Sequence, residues 1–178
     1  MASAFGHAAV AITGSRFFKE TPGWKIIGLG IVCSILPDAD VLSFNFGIPY
    51  THWLGHRGVT HSILFALIFS ALTALVFKGK NKFGIIFLYL FFCTVSHGIL
   101  DGMTTGGRGV GYFIPFDLER YFLPWRKILV SPLGIENFFS QWGARVILSE
   151  IIWIGIPCLF LWIINYFIRV NKKAHKTR

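Results

Sequence analysis

Two apolar runs, at about residues 58–77 and 83–100, stand side by side with only a short lysine-bearing turn between them. A third run of the same kind covers about residues 146–168. A helix needs about 20 predominantly apolar residues to cross a bilayer. A chain of 178 residues has no water-soluble core large enough to hide three such helices. A fourth apolar stretch, at about residues 24–36, is shorter and interrupted by glycines. A fifth, at residues 2–18, is rich in Ala and Gly, which suits close packing inside a membrane bundle.

Composition agrees. Apolar residues make up 54% of the chain and charged residues only 14%, against roughly 25% charged in a soluble domain. These values exclude a disordered protein and argue against a cytosolic enzyme or a soluble nucleic-acid binder. No nucleic-acid partner is expected, although the net charge is +9. In a membrane protein that excess sets topology and meets anionic lipid. Residues 1–14 show no basic segment ahead of their apolar stretch, so no removable signal peptide is expected. Cys33, Cys93 and Cys158 lie in apolar runs without CxxC spacing and read as small core residues.

The expected fold is an all-α, multi-pass transmembrane helix bundle of four to five membrane helices. Residues 1–178 form one integral membrane domain, with an aromatic-rich outer loop, 101–145, between the last two helices. Lys78, Lys80 and Lys82 mark one cytoplasmic turn. Arg16, Lys19 and Lys25 mark another, and Arg169, Lys172, Lys173, Lys176 and Arg178 place the C-terminus in the cytoplasm. The loop 101–145 then faces outside the cytoplasmic membrane.

That topology gathers chemistry. Asp38 and Asp40 follow Pro37 at the outer end of residues 24–36. His56 and His61 flank the outer start of residues 58–77, and His97 and Asp101 close residues 83–100. His7 joins them if residues 2–18 cross, and His52 lies nearby. His97 and Asp101 are one helical turn apart and share a face. Each pair alone is an ordinary cap or helix-end contact. Together they place scarce ionisable groups at one depth of a membrane protein, where such groups are costly and functional. Imidazole with carboxylate suits zinc, manganese or iron.

At these residues the chain resembles a known family. GHAAVA (6–11), LPDADVLSF (36–44), GHRGVTHS (55–62) and SHGILDGMTTGG (96–107) are together similar to the YdjM-type family, whose members are described as membrane-bound metal-dependent hydrolases. The resemblance implies a bacterial inner-membrane protein with His7, Asp38, Asp40, His56, His61, His97 and Asp101 as its polar set. Seven candidates exceed the needs of one tetrahedral zinc. They point to one or two ions, most simply zinc, with manganese or iron as alternatives. Two ions would clamp a phosphate ester, with Asp38 or Asp40 as the bridge.

The expected function is hydrolysis of a phosphate-containing lipid or lipid-linked substrate at the outer face of the inner membrane. The alternative is a non-enzymatic metal-binding membrane protein: a sensor, carrier or assembly factor. His56, which precedes the helix at the water-facing edge while His61 lies about one and a half turns deeper, is the expected general acid. Arg57 would neutralise a phosphoryl oxygen. His7, Asp38, Asp40, His61, His97 and Asp101 would hold metal. Arg108, in a glycine-rich loop, with Arg120 and Arg126 among aromatic residues, would bind substrate or lipid headgroups. Glu150 either completes the metal site or pairs with Arg145.

Overall fold

The computed structural model describes residues 1–18, 22–77, 83–132 and 135–176. Its helices are α1 (Ala4–Ser15), α2 (Trp24–Ile35), α3 (Ile63–Phe77), α4 (Phe83–Gly102), α5 (Ile135–Phe138), α6 (Gln141–Glu150) and α7 (Ile156–Lys176). A 3₁₀ stretch, Leu36–Phe46, continues α2, and a π-helical turn, Ile151–Gly155, joins α6 to α7. Among the described residues there is no strand, only isolated bridges between Thr104 and Ile128 and between Val110 and Tyr121.

Helix α4 is the central element and packs on α1, α2 and α3. Its inward stripe carries Ile86, Tyr89, Leu90, Cys93, His97, Leu100 and Asp101, a three- and four-residue spacing that keeps one face buried. The upper part of that stripe is apolar and packs with Ala11, Ile26, Cys33 and Ala74. Its last turn is polar, so the site lies at the end of the helix where the apolar core stops. Cys33 and Cys93 are free and buried in this core, as expected of small core residues. Gly30 lets α2 approach α4: a Cβ there would lie 2.5 Å from the Tyr89 ring.

Three helical runs are long and apolar enough to cross a membrane: Trp24–Phe46, Phe83–Gly102 and Gln141–Asn171. The large apolar side chains left exposed on them, among them Val32, Leu88, Phe92, Leu159 and Phe160, suit contact with lipid. The structure extends one expected run and shortens another. The α-helix expected over residues 24–36 ends at Ile35, just before Pro37, and a 3₁₀ stretch that takes proline in its first turn continues the run. The run reaches 23 residues. Residues 58–77, in contrast, are helical only from Ile63, which leaves α3 with 15 residues. Ser62 starts it by accepting the Phe65 N–H at 3.0 Å. Helix α1 has 12 residues. The orientation signals at Lys19, Lys78, Lys80, Lys82 and Arg178 lie outside the described residues.

The segment between α4 and α5 folds back over the polar end of α4. Leu123 N–H donates to the Gly102 carbonyl, Ile63 N–H to the Tyr112 carbonyl, and Ser131 N–H to the Met1 carbonyl. The Tyr112 hydroxyl donates to the Gly98 carbonyl at 2.8 Å. Burial and the nearby Asp101 carboxylate push that phenol up to about 12, so it stays protonated and remains a donor. The loop is therefore a fitted cap on the bundle, with Phe113, Phe116 and Trp125 on its exposed side.

Candidate metal centre

Asp38, His61, His97 and Asp101 converge at the polar end of the bundle. One ligand atom from each lies within 4.8 Å of the other three, and all four residues are buried. Asp38 comes from the 3₁₀ continuation of α2, and His97 and Asp101 from successive turns of α4. His61 comes from a single 3₁₀ turn, Val59–His61, set by the close approach of the chain to Gly98, where a Cβ would meet the His61 carbonyl at 3.0 Å. The Nε2 of His97 is 3.3 Å from Asp38 Oδ1. The Nε2 of His61 is 3.6 Å from Asp101 Oδ2 and 3.8 Å from Asp38 Oδ1.

The hydrogen-bond network assigns both imidazole tautomers. His97 Nδ1 lies 2.7 Å from the Ser34 carbonyl, which can only accept, so Nδ1 carries the proton. Thr60 donates its one hydroxyl hydrogen to Asp40 Oδ2 at 2.6 Å. Its oxygen is also 3.0 Å from His61 Nδ1, which must therefore be the donor of that pair. Each neutral ring then presents a lone pair at Nε2, and these two atoms are 2.9 Å apart. Facing lone pairs repel unless a cation stands between them, either an added proton or a metal ion.

Orphaned groups test whether a metal fits. Asp38 Oδ1 and both ring nitrogens of His7 are buried without a hydrogen-bond partner, and Asp101 Oδ2 has only its ion pair with Arg57. Buried polar groups are normally paired, and Asp38 and Asp101 both belong to the converging quartet, with His7 Nε2 3.6 Å from Asp101 Oδ1. The donor set is also the one that divalent zinc, manganese or iron takes. The residues present fit a divalent ion.

Around this quartet lies a supporting layer. Asp40 is not one of the four. It spans His56, at 2.6 Å from Nδ1, and His61, at 3.2 Å from Nδ1, and accepts the Arg57 N–H at 2.9 Å. A carboxylate behind a ligating imidazole fixes its ring and raises its basicity. Arg57 has a left-handed backbone, φ 63°, and a fully buried side chain. Its Nε is 3.0 Å from Asp101 Oδ2, and its other nitrogens reach the Asp101 and Gly106 carbonyls and the Thr104 hydroxyl. The sequence assigns Arg57 a phosphoryl oxygen to neutralise; in the structure the guanidinium sits against the Asp101 carboxylate. The physical reason is the left-handed turn, which sends the side chain inward to neutralise a buried carboxylate. His56 is likewise buried. Residues 56–61 form turns, not one helix, so the two histidines do not lie at successive helical depths.

The remaining candidates fall around this centre. His7 is beside it, with Nε2 3.6 Å from Asp101 Oδ1 and 4.0 Å from Asp38 Oδ2. Glu150 does not join the quartet: its carboxylate accepts from both the backbone N–H and the hydroxyl of Ser3, and so ties the α6–α7 junction to the N-terminal segment. His52 is exposed, with its ring nitrogen taken by the Leu54 N–H. Arg120 donates to the His56, Tyr50 and His52 carbonyls and staples the residue 50–56 turn. Arg126 donates to the Thr104 and Thr105 carbonyls and lies over Phe122. Arg108 is exposed beside the Tyr50 ring. Sequence reasoning missed the Ser34 carbonyl, Thr104 and the Ser3 clamp. Thr60 lay inside the GHRGVTHS motif and was legible there only as a helix-cap residue; a backbone carbonyl leaves no mark in sequence.

Comparison with known proteins places the chain in a membrane family. The chain is 38% identical over 164 residues to the inner membrane protein YbcI of Escherichia coli (strain K12), covering 90% of this chain and 95% of that one. No solved structure matches. The family model described as YdjM inner membrane protein matches residues 2–175. A chain with apolar helices long enough to cross a membrane, and matched over nearly its whole length, belongs to the YdjM inner membrane protein family.

Proposed function

We propose that this protein is a metal-dependent hydrolase of the inner membrane, acting on a phosphate-containing lipid or lipid-linked substrate at the outer face. The observation that carries the reading is the pair of lone-pair-bearing Nε2 atoms 2.9 Å apart, closed by two carboxylates. A divalent ion bound there, most simply zinc, with manganese or iron as alternatives, supplies Lewis-acid activation of water and of a phosphoryl oxygen. The protein does the rest. Asp40 orients His61 and His56 together. His56, held at Nδ1 by Asp40, keeps Nε2 to pass a proton to the leaving group. Arg57 fixes Asp101 and offsets its charge. Arg108 and Arg126, exposed on the cap, meet anionic headgroups. The exposed aromatic side chains of the cap belong at the membrane–water interface.

One observation favours a second reading. The four converging residues are all buried, and a closed tetrahedral site is the mark of a structural ion. In that case the protein binds metal without catalysis, as a sensor, carrier or assembly factor. The two separate in one assay. Metal-loaded protein in mixed micelles is offered a chromogenic phosphodiester and a panel of phosphate lipids. Hydrolysis that falls by about 10²–10⁴-fold in His56→Ala, with metal content retained, supports the enzyme. Metal-loaded parent protein inert on every phosphate substrate favours the second reading.

A further inference from the structure

The carboxylates of Asp38 and Asp101 each point in two directions. Asp38 turns Oδ1 to His97 and Oδ2 to His7. Asp101 turns Oδ2 to His61 and Oδ1 to His7. So the oxygens not directed at the quartet both face one imidazole. His7 is fully buried, and neither of its ring nitrogens has a hydrogen-bond partner. At 3.6 and 4.0 Å its Nε2 is beyond hydrogen-bond reach of both oxygens. Two atoms bound to one ion at about 2.0–2.2 Å stand no more than about 4.4 Å apart, so the spacing suits shared ligation.

The rings add a second, independent observation. His7 and His97 are stacked, with centroids 3.9 Å apart and planes inclined by 17°. Both direct Nε2 toward Asp38, one to each of its oxygens. Parallel imidazoles offset by a ring spacing present two coordination positions side by side. Paired ions in hydrolytic sites stand about 3.5–4 Å apart, bridged by carboxylates. The Ala2 N–H also reaches Asp101 Oδ1 at 2.7 Å and leaves that oxygen a second lone pair.

We propose that His7, Asp38 Oδ2 and Asp101 Oδ1 hold a second divalent cation, with Asp38 and Asp101 as the bridges to the first. This rests on the metal reading above and extends it from one ion to a pair. Three protein ligands leave that second position open, which is where a phosphate oxygen or water can enter. The quartet then serves as the closed, anchoring half, and the His7 side as the exchangeable half. His7 arrives on α1, so the seating of that helix decides whether the pair is complete.

The test uses the full-length protein in detergent and manganese as the probe. Protein stripped with chelator and reloaded with Mn²⁺ should bind about two ions per chain, and its electron paramagnetic resonance spectrum should show exchange-coupled Mn²⁺ pairs. His7→Ala and the isosteric His7→Gln should bind about one ion per chain and give an uncoupled spectrum, with the tighter site retained. The parent spectrum needs no variant, so a folding defect in His7→Ala does not blunt the test. A parent protein that binds a single uncoupled ion, or a folded His7 variant that keeps the coupled pair, overturns the second site and leaves the first standing. A parent that binds no ion overturns both.

Discussion

His61 and His97 face one another through their Nε2 atoms across 2.9 Å, and as neutral rings with Nδ1 protonated neither carries a hydrogen there. His97 has committed its Nδ1 proton to the Ser34 carbonyl and His61 its own to Thr60 and Asp40. The pair is held apart from water at the end of α4 where a carboxylate closes each side. Its geometry is that of ligands aimed at a common cation, and the predictions below turn on it.

Asp40 should act on metal affinity without touching metal. Asp40→Asn keeps the shape but puts a neutral amide behind His61 and His56. Removing such a supporting carboxylate typically weakens metal binding by about 10–100-fold. A competition titration with a chelating indicator measures it. Affinity unchanged in the variant would mean that the Asp40–His61 contact at 3.2 Å does not orient the ligand.

Glu150 should act on stability through the N-terminal segment. Its carboxylate takes both polar hydrogens of Ser3 in a buried setting. Glu150→Ala leaves those donors unpaired, at a cost of about 1–3 kcal/mol. Thermal unfolding in detergent should show a lower midpoint for Glu150→Ala and partial recovery in Glu150→Gln, which keeps one acceptor. Equal midpoints for parent and Glu150→Ala would contradict the clamp.

The motif residues were legible because sequence spacing survives folding. The four-residue step from His97 to Asp101 put both on one face of a helix, and α4 displays them so. That Asp38, His61 and His97 would share a depth followed from the topology, which put the outer ends of three apolar runs on one side of the membrane. The division of labour was not legible. Asp38 and Asp40 look alike in LPDAD, yet a 3₁₀ path sends one to the quartet and the other behind His61. The ion pair of Arg57 with Asp101 was not legible, because nothing in GHRGVTH announces a left-handed residue. Glu150 has its partner 147 positions away at Ser3, a separation that no local pattern encodes. The end of α2 was legible, since the helix stops at Ile35 just before Pro37, but the 3₁₀ stretch that carries the run on to Phe46 was not.

The lysine and arginine clusters predict an orientation. Reporter fusions after Lys80 and after Arg178 should read cytoplasmic, and one at Gly109 should read the outer side. Alkaline phosphatase and green fluorescent protein fusions distinguish the two. A cytoplasmic signal at Gly109 would move the metal centre and its substrate to the inner face and would contradict the outer-face part of the proposal.

The central claim is that the quartet binds a metal ion, and elemental analysis of protein purified without chelator tests it most directly. The account predicts a stoichiometric transition metal, zinc foremost, that is absent from His97→Ala and from Asp101→Ala and retained in His52→Ala, whose ring lies away from the quartet. Folded parent protein carrying no stoichiometric metal, and taking up none when zinc, manganese or iron is supplied, would contradict it and leave the facing imidazoles to be bridged by a proton alone.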